Sequence, residues 1–368
     1  MNFTRQLLQW YKENKRDLPW RRTRDPYLIW LSEIILQQTR IDQGLPYYQK
    51  FVEAFPTVQD LATANEQDVL KLWQGLGYYS RARNLHAAAR VVVKEHGGIF
   101  PDSYAGIRSL KGVGDYTAAA IASIVFDLPY PVVDGNVLRF LSRYFGIGES
   151  IALAGTKKQI LEIAREHLDQ ANPGDFNQGM MEFGARVCTP ANPDCISCLF
   201  NHQCFAFKHG QVGRLPFNDA RVTVRNRFIH YLVITLSDGK EDFIYLNQRS
   251  GNDIWRNLYD FPHFESDRNL IPGKPLNQAS VQEFFKSGDF LSNELSAHFH
   301  PADFRFTGAS RHYKHILTHQ KLDARFYRFH SDHSRELPFH LVPLKKIWDY
   351  PVPRLIEKYI TDHFPKAL

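Results

Sequence analysis

All four cysteines of this 368-residue chain lie within one short stretch, CTPANPDCISCLFNHQC, whose thiols are Cys188, Cys195, Cys198 and Cys204. Their spacing is Cys-x6-Cys-x2-Cys-x5-Cys. Four thiolates this close together can bind a tetrahedral zinc ion or an iron–sulfur cluster. Only Cys195 and Cys198 have the short spacing of structural zinc sites. The longer x6 and x5 intervals on either side of this pair suit a group larger than one ion, such as a cluster. The pattern favours a cluster and leaves zinc open, with unligated thiols as a third alternative.

The rest of the sequence indicates which chemistry these thiols serve. No run of about eighteen apolar residues is present, so the sequence predicts no membrane span. The start, MNFTRQLLQWYKENKRDLPW, carries charges throughout and differs from a signal peptide. We therefore expect a cytosolic chain whose cysteines are metal ligands or redox groups rather than disulfides. The net charge of +6 permits a nucleic-acid partner without establishing one.

The pattern of apolar residues divides the chain into two parts. Helical periodicity, interrupted by Gly and Pro, runs from residue 1 to about 187. Short aromatic and β-branched runs such as NRFIHYLVITL, EDFIYLNQR and LDARFYRFH follow and predict strands. The expected fold is an all-α domain over 1–204, including the cysteine loop 188–204, then a linker over 205–222. An α+β domain is expected over 223–368.

A glycine-rich turn, LKGVGDYTAAAIAS, lies in the helical part. Gly112 and Gly114 would let the backbone turn tightly and expose N–H groups beside a helix N-terminus, which suits a phosphate. The alternative for such a short pattern is a plain turn between two helices.

Two carboxylates stand out in the same part of the chain. Asp134 precedes a glycine at the predicted start of a helix, where an N-cap role is the simplest explanation. Glu33 lies among Trp30, Leu31, Ile34 and neighbouring apolar residues. A carboxylate in such a helix is costly unless paired or functional, so we expect its pKa to rise. A position on a surface stripe is the alternative for Glu33.

Together these motifs resemble the endonuclease III superfamily of base-excision DNA glycosylases, and within it the MutY branch. The segments that carry the resemblance are LPWR, WLSEIILQQTR, GLGYYSRARNLH, VDGNV and FNQGMMEFGARVC. It is dense over 1–204 and looser beyond. It implies a helix-hairpin-helix fold and a [4Fe–4S] cluster on Cys188, Cys195, Cys198 and Cys204. It also implies removal of adenine opposite 8-oxoguanine or guanine in double-stranded DNA after base flipping.

The resemblance also assigns roles to the catalytic candidates. Glu33 matches the general acid that protonates adenine N7, and Asp134 matches the carboxylate that stabilises the sugar cation. Asn136 and Tyr116 match residues that support this second carboxylate. Endonuclease III has a lysine where this chain has Tyr116, so no imine nucleophile is evident and a monofunctional glycosylase is expected.

Further positions match residues that bind the DNA. Trp20 and Gln178 match the adenine pocket, although a tryptophan in LPW could also belong to the core. Gln38 and Tyr78 match residues that wedge into the base stack. By its chemistry alone, Tyr78 would more often be a core residue.

The second part resembles the MutT-like, Nudix-related domain of the same branch through DIWRNLYDFPHF. The Arg-Glu-x-x-Glu-Glu helix of hydrolytic Nudix domains is missing from the sequence, so pyrophosphatase activity is not expected. The family recognises 8-oxoguanine through a Phe-Ser-His loop, and the nearest match is Leu317, Thr318 and His319. The hydroxyl and the imidazole are kept, and the aromatic residue is not.

Two other functions remain as alternatives. One is a glycosylase/lyase of the thymine-glycol type, and the other is a cluster-bearing DNA-binding or redox protein without catalysis. The presence of both Glu33 and Asp134 argues against the second. We further expect a monomer with no membrane partner, in the cytoplasm of a bacterium, with a function at the nucleoid.

Overall fold

The computed structural model describes residues 2–220, 223–266, 277–285, 294–333 and 336–364. The chain forms two compact units. Unit 1 comprises Met1–Ala64 and Asn84–Arg221, and unit 2 comprises Asn65–Arg83 and Val222–Leu368. Within the described ranges, no helix has both the length and the apolar character needed to cross a membrane.

Helices dominate the chain up to residue 208. They are α1 (Phe3–Asn14), α2 (Pro26–Leu36), α3 (Ile41–Ala54), α4 (Val58–Thr63), α5 (Glu66–Trp73), α6 (Ser80–His96), α7 (Tyr104–Ser109), α8 (Asp115–Phe126), α9 (Gly135–Phe145), α10 (Ala154–His167), α11 (Pro173–Arg186) and α12 (Phe205–Lys208). Helix α2 begins where the Asp25 side chain accepts from two backbone N–H groups and Pro26 takes the first helical position. Most of its side chains are buried, which places Glu33 in an apolar helix.

The core of unit 1 holds the cysteine loop in place. Phe200, which lies inside that loop, stacks on Phe3 of α1 with ring centroids 5.0 Å apart. It also lies 5.5 Å from Phe140 of α9 and 5.1 Å from Phe183 of α11. Burial of these rings in one cluster fixes the loop against three helices.

Unit 2 is built on a sheet. Its strands, within the described residues, are β1 (Arg225–Ser237), β2 (Asp242–Gln248), β3 (Tyr259–Asp260), β4 (His263–Ser266), β5 (Arg305–Ala309), β6 (Tyr313–Ile316), β7 (Gln320–Ser331) and β8 (His340–Pro343). The longest strands, β1 and β7, pair in parallel, and the other recorded pairings are antiparallel. The helices α13 (Gln278–Phe284) and α14 (Arg354–His363) accompany the sheet.

The predicted fold class, helices followed by an α+β part, is confirmed. The three sequence runs that predict strands form β1, β2 and β7. Tyr231 and Leu232 of β1 are both fully buried, although they point to opposite faces of the strand. Burial on both faces explains why this run is almost continuously apolar.

The predicted linker over 205–222 has a structure of its own where it is described. It begins with the short helix α12, and Leu215 is buried. The backbone N–H of Ile151 donates to the Phe217 carbonyl at 2.9 Å, and the buried Arg143 donates to the Leu215 carbonyl at 2.8 Å. These bonds attach the segment to unit 1. Residues 221 and 222 lie outside the described residues.

Candidate active site

Glu33 lies near the end of α2 and keeps part of its surface accessible. Burial is the main cause that raises the pKa of Glu33 to about 7. A hydrogen bond with Tyr116 opposes the rise, and the nearby charge of Asp134 adds to it. The predicted rise in pKa is confirmed. A carboxyl group with this pKa can hold a proton near neutral pH and donate it.

Asp134 is the N-cap of α9. One carboxylate oxygen accepts from the backbone N–H groups of Asn136 and Val137, at 2.9 and 2.8 Å. The other accepts from the Asn136 side chain at 2.7 Å. Burial raises the pKa of Asp134, while these three hydrogen bonds act against the rise. The N-cap explanation is therefore correct for the structure, and the same bonds hold the carboxylate in one orientation.

Tyr116 lies in the first turn of α8, next to both carboxylates. Burial first, and then the charges of Glu33 and Asp134, raise the pKa of the Tyr116 hydroxyl well above its ordinary value. The hydroxyl is also 3.3 Å from the Met181 sulfur. Tyr116 is thus a neutral hydrogen-bond donor at this site. Unit 1 brings Glu33, Asp134, Asn136 and Tyr116 together, and their roles in catalysis stay a prediction.

Arg139, one turn along α9, connects this site with the cysteine loop. Its Nη2 donates to the Asn136 side-chain oxygen at 2.9 Å and to the Gly184 carbonyl at 2.6 Å. Its Nε donates to the Cys188 carbonyl at 2.7 Å. Through Asn136, the first cysteine of the loop is therefore linked by hydrogen bonds to Asp134.

The four predicted ligands line one small cavity in unit 1, and all four are free thiols. Burial and the neighbouring thiols raise the pKa of Cys198 to about 11 and also raise the pKa of Cys195. Arg143 donates toward the Cys188 sulfur at 3.5 Å. Four bare thiolates would repel one another here, so a positively charged metal centre would remove a large electrostatic cost.

The four thiols, as placed, do not form a site for a single metal ion. Among the residues that the structure describes, no group of three or more His, Cys, Asp or Glu side chains could hold a metal ion as placed. Sulfurs around one zinc ion lie about 3.8 Å apart, given Zn–S bonds of about 2.3 Å in a tetrahedron. The choice between zinc and a cluster stays a prediction from the spacing of the cysteines in the sequence.

Trp20 is buried, and its ring meets the edge of Tyr48 at 5.0 Å. Its neighbour Arg21 is close enough for its charge to lower the pKa of Glu33. Although burial alone acts in the opposite direction, hydrogen bonds from Arg16 and Arg21 lower the pKa of Glu182 to about 2. Trp20 thus lies beside a buried ion pair, and its part in adenine binding stays a prediction. Gln178 is half-buried on α11, and its role is likewise a prediction.

The glycine-rich turn joins α7 to α8 as a helix-hairpin-helix. Gly112 has φ of +83°, and a Cβ there would lie 2.7 Å from the Asn84 Cβ. Gly114 is the N-cap of α8, has no side-chain cap, and would have no heavy atom within 4 Å of an added Cβ. The two glycines therefore differ: the fold requires the first and leaves space around the second.

The two predicted wedge residues share an unusual backbone conformation. Gln38 has φ of +55° and Tyr78 has φ of +47°, a region that non-glycine residues seldom adopt. Both side chains are exposed. Such strained backbone is frequent at functional sites. Gln38 belongs to unit 1 and Tyr78 to unit 2.

Thr318 and His319 lie in the three-residue turn between β6 and β7, with Leu317 before them. We refer to Leu317–His319 as the hairpin tip. The Thr318 hydroxyl is hydrogen-bonded to the Tyr78 hydroxyl at 2.8 Å. Unit 2 thus brings together two residues that are 240 positions apart in sequence.

Sequence reasoning missed several residues that shape the site. Asn177 is fully buried and binds the backbone on both sides of Pro131, accepting from Val132 N at 3.0 Å and donating to the Tyr130 carbonyl at 2.8 Å. Gly184 packs so tightly on α9 that a Cβ would lie 2.6 Å from the Asn136 carbonyl oxygen. Both residues are in FNQGMMEFGARVC, where a polar residue and a glycine interrupt an apolar helix face.

Two family models match separate parts of the chain. Residues 31–170 match the family model described as HhH-GPD superfamily base excision DNA repair protein. Residues 230–362 match the model described as NUDIX domain.

Curated proteins named adenine DNA glycosylase are similar over much of the chain. The protein from Buchnera aphidicola subsp. Acyrthosiphon pisum is 35% identical over 270 residues, which cover 73% of this chain and 76% of that protein. The human protein is 46% identical over 213 residues, covering 55% of this chain and 39% of its own length. A solved thermostable thymine-DNA glycosylase shares 33% identity with a TM-score of 0.52, covering 56% of this chain and 95% of that structure.

Proposed function

Since this chain belongs to the adenine DNA glycosylase family of the HhH-GPD superfamily, we propose that it removes adenine paired with 8-oxoguanine or guanine. It is a DNA N-glycosylase of base excision repair. The observation that carries the proposal is the pair of carboxyl groups in unit 1. Glu33 has a pKa of about 7, and Asp134 is held by three hydrogen bonds.

The two carboxyl groups can divide the chemistry between them. Cleavage of the N-glycosidic bond needs a proton on the departing base and a negative charge near the sugar cation. Protonated Glu33 would donate its proton to adenine N7. Asp134, fixed by Asn136 and by the first turn of α9, would face the sugar C1′ and stabilise its positive charge. Water then completes hydrolysis.

We propose that the enzyme is monofunctional. Tyr116 occupies the position where a lyase needs an amine, and a phenol cannot form an imine. Its raised pKa keeps the hydroxyl neutral, so its role is to donate a hydrogen bond to the Glu33 carboxyl group. A glycosylase/lyase would instead be trapped on its DNA by borohydride.

The DNA contacts follow from the same family assignment. We propose that Trp20 and Gln178 contact the flipped adenine, and that Gln38 and Tyr78 enter the base stack. In unit 2, Thr318 and His319 would contact the base opposite adenine, with the chain acting as a monomer. The exposed side chains and the strained backbone of Gln38 and Tyr78 support their proposed entry into the base stack.

The four cysteines would hold a [4Fe–4S] cluster. The shared cavity, the mutual repulsion of the thiols and the nearby Arg143 fit such a group. When bound, the cluster would supply a rigid cross-link between the loop and the helices around it. The chain itself contributes the hydrogen bonds of Arg139, which join the Cys188 carbonyl to the Asn136 side chain and so connect the loop with the candidate active site.

One assay tests the proposal directly. Single-turnover excision would be measured on duplexes with adenine opposite 8-oxoguanine, guanine, cytosine and thymine. We expect adenine release opposite 8-oxoguanine and guanine, faster opposite 8-oxoguanine, and no adduct with borohydride. Equal rates opposite all four bases would contradict the proposed selectivity, and a trapped adduct would contradict the monofunctional mechanism.

A further inference from the structure

A buried arginine in unit 2 contacts Gln320, the residue that follows the hairpin tip. Arg227 of β1 donates through Nε to the Glu265 carboxylate at 3.0 Å and through Nη1 to Asp253 at 3.2 Å. The same Nη1 donates to the Gln320 side-chain oxygen at 2.9 Å. Arg227 is 8% exposed, so these partners rather than water satisfy most of its donors.

Gln320 is the first residue of β7 and directly follows the tip. Its backbone carbonyl accepts from Leu317 N at 2.8 Å, which closes the turn. The preceding carbonyl, that of His319, accepts from Arg225 N at 2.9 Å. These backbone bonds fix where the tip begins and ends. The Gln320 side chain adds an anchor that is independent of the turn, because it joins the hairpin to a charged group on β1.

We propose that Gln320 is a positioning residue that holds the Thr318 hydroxyl in the geometry required to distinguish 8-oxoguanine from guanine. The inference rests on the proposed function, in which the tip contacts the base opposite adenine. It extends that function to a residue that makes no contact with the base. Gln320 acts through Thr318, two positions before it. The hydrogen bond from the buried Arg227 holds the Gln320 side chain in place.

The contact of Gln320 can be removed without unpairing Arg227, because two carboxylates also bind this arginine. If the Gln320 oxygen is removed, Arg227 keeps its bonds to Asp253 and Glu265. The arginine therefore stays paired, and no buried charge is left without a partner. The hairpin is the part that loses a contact. Its tip would keep its backbone hydrogen bonds and the Tyr78–Thr318 bond, but the side chains of the tip would be held less firmly in one orientation.

Two substitutions test the proposal in the full-length protein. Gln320→Met keeps the length of the side chain and removes the acceptor, whereas Gln320→Glu keeps an oxygen that can accept from Arg227. The quantity to compare is the ratio of single-turnover rates on adenine opposite 8-oxoguanine and opposite guanine. For Gln320→Met we expect the ratio to fall about threefold to tenfold, the scale of one net hydrogen bond. For Gln320→Glu we expect the wild-type ratio within about twofold.

Amide hydrogen exchange provides a readout that does not depend on catalysis. Gln320→Met should accelerate exchange at Leu317–His319 in the free protein, and Gln320→Glu should not. Thermal unfolding should be nearly the same for all three proteins, which separates a positioning role from general destabilisation.

Thr318→Ala serves as the control that separates this inference from the proposed function. If Thr318→Ala lowers the ratio while Gln320→Met changes neither the ratio nor the exchange, the Gln320 inference is wrong and the role of the tip stands. If neither variant changes the ratio, the tip does not distinguish the two bases, and the inference fails with it.

Discussion

The pKa of Glu33 is raised to about 7 because the residue lies, mostly shielded from water, among the buried apolar residues of α2. A general acid must be protonated, so we expect the excision rate to fall as pH rises above about 7. Glu33→Gln keeps the shape of the side chain and removes the proton. We expect single-turnover excision to fall by at least ~10²-fold, the usual scale of general-acid catalysis. Near-normal excision by this variant, with normal DNA binding, would remove Glu33 from the acid role.

The same substitution should change stability in a pH-dependent way. The unfolded chain ionises Glu33 near pH 4.5, while the folded protein keeps the proton until about pH 7. The folded state therefore binds more protons between these values, so Glu33 lowers the free energy of unfolding as pH rises through this window. Below pH 4.5 both states are protonated, and above pH 7 the cost is constant.

Glu33→Gln should thus be more stable than the wild type above pH 7 and gain less at pH 4.5. Thermal unfolding of both proteins at pH 4.5, 6 and 8 measures this difference. A difference that stays the same across the three pH values would contradict the raised pKa. The expected pattern means that the acid role has a cost in stability.

At the residue scale, the sequence revealed Glu33 because a carboxylate among apolar neighbours is a local conflict. It did not reveal Asn177 or Arg139. Their hydrogen-bond partners are backbone groups 45 to 49 positions away, and only the packing of α11 against α9 and the segment before it brings these together. Asp134 shows a third case, since its N-cap role was evident from the sequence while its burial was not.

At the element scale, the predicted phosphate contact at the N-terminus of α8 can be tested separately from folding. An added Cβ at Gly114 meets open space, and no side chain caps the helix there. Gly114→Asp should keep or slightly raise thermal stability, because Asp is a favourable N-cap residue. Its carboxylate should repel a phosphate at the same N–H groups and weaken duplex binding by about tenfold, a modest change for one charge at a phosphate site.

Gly112→Ala is the matched control for this prediction. It places a side chain at φ of +83° and against Asn84, so it should lower stability directly. Duplex affinity by fluorescence anisotropy at several salt concentrations, together with thermal unfolding, distinguishes the two variants. Unchanged affinity in Gly114→Asp would mean that the turn only connects two helices.

The metal content of the cysteine loop can be predicted at the same scale. Burial and neighbouring thiols raise the pKa of Cys188, Cys195 and Cys198 in the cavity that Cys204 also lines, so we expect a metal centre to occupy it in the cell. Protein purified without oxygen should be yellow-brown, with about four irons per chain. Elemental analysis measures this. Stoichiometric zinc with negligible iron would show that the loop is a zinc site.

At the scale of the whole molecule, the order of helices and strands was predictable because their periodicities are local properties of the sequence. The division into units was less so. Residues 65–83 continue the helical pattern, yet they group with unit 2. Gln67 donates to the Asn257 carbonyl at 3.2 Å, and Lys71 donates to the Tyr350 carbonyl at 3.0 Å. No local pattern indicates partners that lie 190 or 279 positions away.

This grouping sharpens the expected result of deleting residues 223–368. Both carboxylates and all four cysteines remain in the truncated chain, so we expect it to keep unit 1 folded and to remove adenine. The segment Asn65–Arg83, however, loses its partners in unit 2, and Tyr78 loses the Thr318 hydroxyl. We therefore expect faster amide exchange over residues 65–83 and less effective wedging by Tyr78.

The truncated protein should lose most of its discrimination between adenine opposite 8-oxoguanine and adenine opposite guanine. Discrimination is a difference between two transition-state energies, so the ratio of single-turnover rates is the quantity to measure. In the full-length protein, Thr318→Ala should lower the same ratio by less, corresponding to about 1 kcal/mol for one hydrogen bond. Suppose instead that truncation slows both substrates equally and keeps their ratio. The residues that recognise 8-oxoguanine would then have to lie in the helical part of the chain, and residues 223–368 would serve to hold residues 65–83 in place.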